Sequence, residues 1–260
     1  VYRHEDSDKE FIAKKVRKTS DELEILTLFN NMEPKPDHII PLIESFDGWV
    51  ILPKMITVSG YIVSSPERLE SKVVQVCLGL IEGVAFLHEW CVAHRDIKPD
   101  NLVLDRDFCL KIIDFDIAMR VREEDEEVDD QCGTEHWIAP EVEKEPSHSP
   151  MRADRWACGR VLLYLLARFR NGDERLKVFA RNLCVDDPKE RPSLREWKSF
   201  SVPDVRNTVS ADSDSRKRKA STPRRDAIVV DGQTMSPNAK RLRLGVSNEK
   251  ETIGLGIRVI

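Results

Sequence analysis

The nine residues Ala93–Asn101, AHRDIKPDN, hold one His, one Arg, two Asp, one Lys and one Asn. They stand between two apolar runs, LIEGVAFLHEWCV and LVLD, where a core is being built. Charged groups are costly in a core unless they are paired. The chain must therefore carry this stretch as a polar loop at the margin of its core, and the rest of the fold has to be arranged around it.

The surrounding patterns supply the elements. VYRHEDSDKEFIAKKV reads as two strands about a turn at Ser7–Lys9. TSDELEILTLFNNM has apolar residues at 23, 25, 26, 28 and 29, a helical stripe, with Thr19 and Glu22 spaced for a capping box. HIIPLIESF and GWVILPKM read as a strand pair turning at Asp47–Gly48. ERLESKVVQVCLGLIEGVAFLHEW is predicted as one helix of more than twenty residues, and DRWACGRVLLYLLARF as a second, nearly all-apolar helix suited to the centre of a lobe. The expected class is α+β in two lobes, with a small β-rich N-lobe over 1–56 and a mainly helical C-lobe over 57–200.

Charge marks off the remainder. Residues 201–260 carry 12 Lys and Arg against 7 Asp and Glu, whereas residues 1–200 carry 29 against 39. The tail lacks Phe, Trp and Tyr and is predicted to be disordered, with its last residues, TIGLGIRVI, read as a short strand or a sticky end. RKRK at 216–219, Arg224–Arg225 and SPNAKRLRLG around Lys240–Arg243 fit nuclear import signals; nucleic-acid binding is the weaker reading, because stacking aromatics are missing. A solvated basic linker is the plain alternative. Apolar runs broken by charge well short of 18 residues predict no membrane span. The chain starts at Val1 without a charged-then-apolar leader and is read as a fragment or processed product without a secretory signal. Six cysteines form no C-x-x-C pair and are read as reduced, small hydrophobes of an intracellular protein.

HRDIKPDN followed by LVLDRDFCLKIIDFD resembles the catalytic loop, hairpin and metal-binding turn of protein kinases. FIAKKV resembles the strand of the nucleotide lysine, GTEHWIAPE the end of the activation segment, DRWACG the start of the central large-lobe helix, and DPKERPS the late arginine motif. The resemblance spans about residues 1–198. It implies a two-lobed kinase-like fold, its N-lobe incomplete, that uses ATP and Mg²⁺ to phosphorylate hydroxyls of a protein substrate. It implies that Asp96 accepts or orients the substrate hydroxyl proton, that Lys98 faces the transferring phosphate, and that Asn101 and Asp114 hold magnesium. Lys15 is then the phosphate-binding lysine, with Glu22 its helix partner and Glu24 a weaker candidate. Leu52 guards the rear of the adenine pocket, Met55 sits in the hinge, and Val1 and Val103 cover the purine. His94, Phe115, Leu26 and Leu42 form an apolar column, and Glu141 pairs with Arg191. Lys98 and Thr134 favour a Ser/Thr kinase over a Tyr kinase. Lys98 and the APE segment also separate the chain from small-molecule phosphotransferases.

Four departures from the family stand out. No Gly-rich loop precedes VYR, which predicts weak nucleotide binding by this chain. Lys15 and Glu22 are only seven apart, and Glu22 also suits the capping box with Thr19. The metal turn reads DFD, placing Asp116 where glycine is usual. About thirty residues separate Gly159 from Arg191, so a large-lobe helix is reduced. The activation segment holds seven acids at 123–130, broken only by Val128, and no Ser, Thr or Tyr between Asp114 and Gly133. One of these acids is expected to give Arg95 the negative charge that phosphate commonly supplies; the alternative is a solvated, self-repelling loop. Two other functions are weighed beside the kinase: a kinase-like scaffold without turnover, and an interaction module anchoring the basic tail.

Overall fold

The computed structural model describes residues 2–4, 10–170, 173–200 and 257–259. Residues 1–202 and 252–260 form one compact unit; residues 203–251, a second unit, lie outside the described residues, as do Val1 and the predicted turn at Ser7–Lys9.

The N-terminal part is an antiparallel sheet ordered β10-β1-β2-β4-β3, built from β1 (Tyr2–His4), β2 (Glu10–Lys15), β3 (Glu44–Phe46), β4 (Trp49–Pro53) and β10 (Ile257–Val259). The β3–β4 hairpin turns at Asp47–Gly48 as its sequence requires, since both residues have positive φ, 46° and 78°, the geometry of a tight two-residue turn. Terminal residues 257–259 do form a strand, paired with β1. Against the sheet lies α1 (Glu22–Asn30), which buries Glu22, Ile25, Leu26 and Phe29, a stripe at intervals of three and four. Its Thr19 capping box does not form: Asp21 is the cap residue, and Ser20 Oγ accepts from the Glu22 N–H instead.

The predicted long helix is two, α3 (Pro66–Glu70) and α4 (Val73–Glu89), parted at Ser71–Lys72. In α4, Val73, Val76, Cys77, Leu80, Ile81, Val84 and Leu87 are buried. Ahead of them stands α2 (Val58–Ser64), capped by Thr57 Oγ1, which accepts from the Gly60 N–H. The short α5 (Pro140–Lys144) follows the activation segment. The central helix α6 (Pro150–Arg168) starts at Ser149, whose hydroxyl accepts from the Arg152 N–H. α7 (Glu174–Leu183) packs so closely on α6 that a Cβ at Gly159 would come within 2.8 Å of Ala180 O. Among the described residues α7 is the only α-helix between α6 and Arg191, in keeping with the short spacing in the sequence.

Three short pairings hold the charged loops. β5 (Ile56–Thr57) pairs with β7 (Leu102–Leu104), β7 with β8 (Leu110–Ile112), and β6 (Val92–Ala93) with β9 (Met119–Arg120). The loop 94–101 thus runs from β6 to β7, and the loop 113–118 from β8 to β9. Pairing their ends sets the two loops side by side. Most buried apolar side chains form one core, from Ile25 and Phe29 in α1 to Leu183 in α7.

Candidate active site

The loop 94–101 is held from below. Asp154, buried in α6, accepts from the N–H groups of His94 (2.7 Å) and Arg95 (2.8 Å) and lies 3.3 Å from His88 Nε2. This clamp holds Arg95 at φ 70°, a conformation costly for a residue with a Cβ. His94 is fully buried, donates from Nε2 to Ile113 O (2.9 Å) and packs edge-on against Phe115, ring centres 5.1 Å apart. Leu26, Leu42 and Phe115 are buried in the same core.

Above the clamp the polar side chains meet. Asp96 Oδ2 accepts from Lys98 Nζ at 2.7 Å and from Asn101 Nδ2 at 2.8 Å, and its Oδ1 accepts from the Thr134 hydroxyl at 2.6 Å. Thr134 Oγ1 in turn accepts from Lys98 Nζ at 2.7 Å. Burial pushes the Asp96 carboxyl up, but the bonds from Lys98, Thr134 and Asn101 outweigh it and hold the group below its ordinary value. Because the Asn101 amide nitrogen is engaged by Asp96, its oxygen is the atom left to offer a cation. The Ile113 N–H donates to Asn101 O at 3.0 Å and so ties this loop to the one carrying Asp114.

The lysine that reaches in from the sheet is Lys14. Its Nζ lies 2.7 Å from Glu22 Oε1 and 2.6 Å from Asp114 Oδ1. Lys15, the residue expected there, is exposed and holds its ammonium over the Trp49 ring, 5.8 Å from its centre. Successive side chains of a strand point to opposite faces, so only one of two adjacent lysines can face α1. The registers Lys14↔Val50 and Lys15↔Trp49 decide which: Val50 is fully buried and Trp49 is not. The partner assigned to this lysine, Glu22, is correctly placed, eight residues from Lys14. Glu24 instead pairs with Arg120 at 3.2 Å on the surface.

Two carboxylates share the Lys14 ammonium. Burial opposes that charge, yet the bonds from Asp114 and Glu22 raise the Lys14 pKa on balance. Glu22 is fully buried and its Oε2 has no partner, so burial raises its carboxyl despite the ion pair and the bond from the Phe115 N–H at 3.3 Å. Burial opposes the charge on both groups; the paired bonds outweigh it at Lys14 but not at Glu22.

Leu52, in β4 opposite Ile12, and Val103, in β7 opposite Thr57, are buried, and Met55 packs partly buried on the same core. Val1 lies outside the described residues. Glu141 and Arg191 form the expected buried pair, with Nη1–Oε1 2.5 Å and Nη2–Oε2 2.8 Å.

Four residues at the site carried no role in the sequence reading or only a generic one. Asp130 supplies the charge expected for Arg95, bonding its Nη2, and the Arg95 guanidinium holds the Asp130 carboxyl below its ordinary value. The rest of the acidic run is largely matched as well. Asp125 bonds Arg152 (2.9 Å to Nε), Glu124 bonds Arg155 (2.6 Å), and Glu126 bonds Arg122 (3.3 Å). The segment is therefore stapled to α6 and the catalytic loop rather than left as a self-repelling coil. Arg17 bonds Asp116, and Asp154 makes the clamp described above. The DRWACG run was the signal for Asp154; nothing local marks Arg17.

Comparison with known proteins decides what this arrangement belongs to. A family model described as "Protein kinase domain" matches residues 2–172. The chain belongs to the protein kinase family. Among its relatives, CBL-interacting protein kinase 16 of Oryza sativa subsp. japonica is 44% identical over 92 residues, 35% of this chain and 20% of that protein. The Drosophila melanogaster "Serine/threonine-protein kinase grp" is 42% identical over 90 residues, 34% of this chain and 17% of that protein. The Candida albicans "Serine/threonine-protein kinase CST20" is 32% identical over 148 residues, 55% of this chain and 12% of that protein. The matched stretches span between 12% and 20% of these curated relatives' length. A protein kinase domain implies ATP and Mg²⁺ in general, and the oxygen donors of Asn101 and Asp114 suit a hard cation that keeps several waters.

Proposed function

We propose that this kinase phosphorylates Ser and Thr hydroxyls of protein substrates. The observation that carries the reading is the Thr134 hydroxyl, which donates to Asp96 Oδ1 at 2.6 Å while accepting from Lys98 at 2.7 Å. It displays how these two side chains hold an alcohol: the carboxylate takes the hydroxyl hydrogen and the ammonium stands at the oxygen. A substrate hydroxyl bound in the same way has its proton directed to Asp96 and the charge beside it met by Lys98. The depressed Asp96 carboxyl keeps the acceptor ionised at neutral pH.

Asn101 and Asp114 are the residues that would hold magnesium, and Lys14 is the cation available to the nucleotide phosphates. Magnesium, when bound, neutralises phosphate charge during transfer. Glu22 positions Lys14, and Leu52, Met55 and Val103 supply apolar surface for a purine. The relatives' names support the Ser/Thr assignment. Basic clusters at 216–219 and 240–243, which lie outside the described residues, support a nuclear protein recognised by an import receptor. Fluorescence localisation with and without residues 216–243 tests that part.

For the activity, the full chain is incubated with γ-labelled ATP, magnesium and mixed Ser-, Thr- and Tyr-containing peptides. Label should appear on Ser and Thr, and Asp96→Asn should lower the rate by about a hundredfold or more. Equal labelling by wild type and Asp96→Asn, or labelling of Tyr alone, refutes the reading.

A further inference from the structure

We infer that Arg17 and Asp116 form a latch that positions the metal-binding turn, an inference resting on the kinase reading above. Arg17 Nε donates to Asp116 Oδ1 at 2.7 Å and its Nη2 bonds Asp116 Oδ2, so the guanidinium engages both carboxylate oxygens. Such a fork fixes orientation as well as distance. The pair runs alongside the Lys14–Asp114 bridge, between the same two segments. The Lys14 bridge, the buried Phe115 ring and the Ile113 and Phe115 N–H bonds fix the first half of the turn; the Arg17 fork adds a side-chain bridge to its second half. The two side-chain bridges run from residues 14 and 17 to residues 114 and 116.

Asp116 thereby does two things that the glycine usual at this position would not. Its backbone is outside the positive-φ region, whereas Asp114 sits at φ 67°. A glycine would enter left-handed conformations freely; Asp makes them less accessible, at no strain in the observed state. Its carboxylate is paired with Arg17 through both oxygens. With both oxygens on the guanidinium, the negative charge of Asp116 is met locally by Arg17. Arg17 is therefore a positioning residue that acts on Asp114 through Asp116. Because its side chain is 60% exposed, salt weakens the latch.

Amide hydrogen exchange on the full chain tests this without relying on turnover. The reporters are the N–H groups of Phe115, bonded to Glu22 Oε1, and Ala118, bonded to Phe115 O. Arg17→Ala and Asp116→Ala should each speed exchange over residues 115–118 about two- to fivefold at low salt, the scale of an exposed ion pair. The reversed pair Arg17→Asp with Asp116→Arg should restore it. Where that double variant does not fold, Arg17→Lys, which keeps the charge but not the fork, should fall between wild type and Arg17→Ala. In the labelling assay the magnesium concentration for half-maximal rate should rise by a similar factor in Arg17→Ala, with its melting temperature unchanged. Exchange equal to wild type in both alanine variants overturns the latch whatever the turnover. Absence of labelling by wild type overturns the kinase reading and leaves the exchange result to judge the latch.

Discussion

Lys14→Met and Lys15→Met differ by one position and by a whole face of the sheet, so comparing them tests the register of the site. Among the described residues Lys14 is the one cation paired with Glu22, whose carboxylate is fully buried, with Oε2 unpartnered and Oε1 otherwise met by one N–H at 3.3 Å. Removing one partner of a buried ion pair costs about 3–5 kcal/mol. Burial already raises the Glu22 carboxyl, so protonation offers partial relief and the lower figure, about 3 kcal/mol, applies. For a domain of this size that is a fall of about 6–12 °C in Tm. Lys15→Met loses an exposed cation–π contact of about 0.5 kcal/mol, or roughly 1–2 °C. Adding Glu22→Met to Lys14→Met removes the orphaned charge and should recover most of the lost Tm, since an apolar pair of similar size replaces the ions. Phosphate transfer should stay lost in that double variant. Thermal melts and the labelling assay on the four proteins decide the matter. If Lys15→Met melts lower than Lys14→Met, or abolishes transfer while Lys14→Met does not, the register argument is wrong.

Two further outcomes follow from the site. Asp130→Asn removes the charge facing Arg95, whose side chain is 9% exposed with its Nε unpartnered. Discounted for the 55% exposure of Asp130, the loss is about 1 kcal/mol, so kcat should fall about fivefold, with Asp130→Glu retaining most activity; an unchanged kcat in Asp130→Asn would show that the segment needs no such anchor. The Asp96 carboxyl is held below its ordinary value of 3.8, so the stability it contributes is complete above that pH and lost as pH falls through its native pKa. In urea unfolding, the stability difference between wild type and Asp96→Asn should be constant from about pH 5 to 8 and shift in favour of the variant below about pH 4. A difference that stays flat into acid would mean that Asp96 is not held ionised by its neighbours.

The motifs gave the kinase family and the order in which its characteristic segments appear along the chain. HRDIKPDN, DFD and GTEHWIAPE each gather their polar groups within a few residues, so resemblance to the kinase motifs was enough to name Asp96, Lys98, Asn101, Asp114 and Thr134. Apolar periodicity likewise gave α1, α4 and α6, because burial of one helix face repeats every three to four residues. What the sequence left open were choices between locally equivalent positions and pairings between distant ones. Lys14 and Lys15 are alike in an isolated strand; only the pairing of β2 with β4 turns one toward α1. Glu22, the first choice as lysine partner, also suited a helix cap until burial against Lys14 claimed it. Asp130 was one of seven acids, and Arg17 one cation among many. Their partners, Arg95 and Asp116, lie 35 and 99 residues away, and long-range contacts of that kind exist only once the core has brought the segments together.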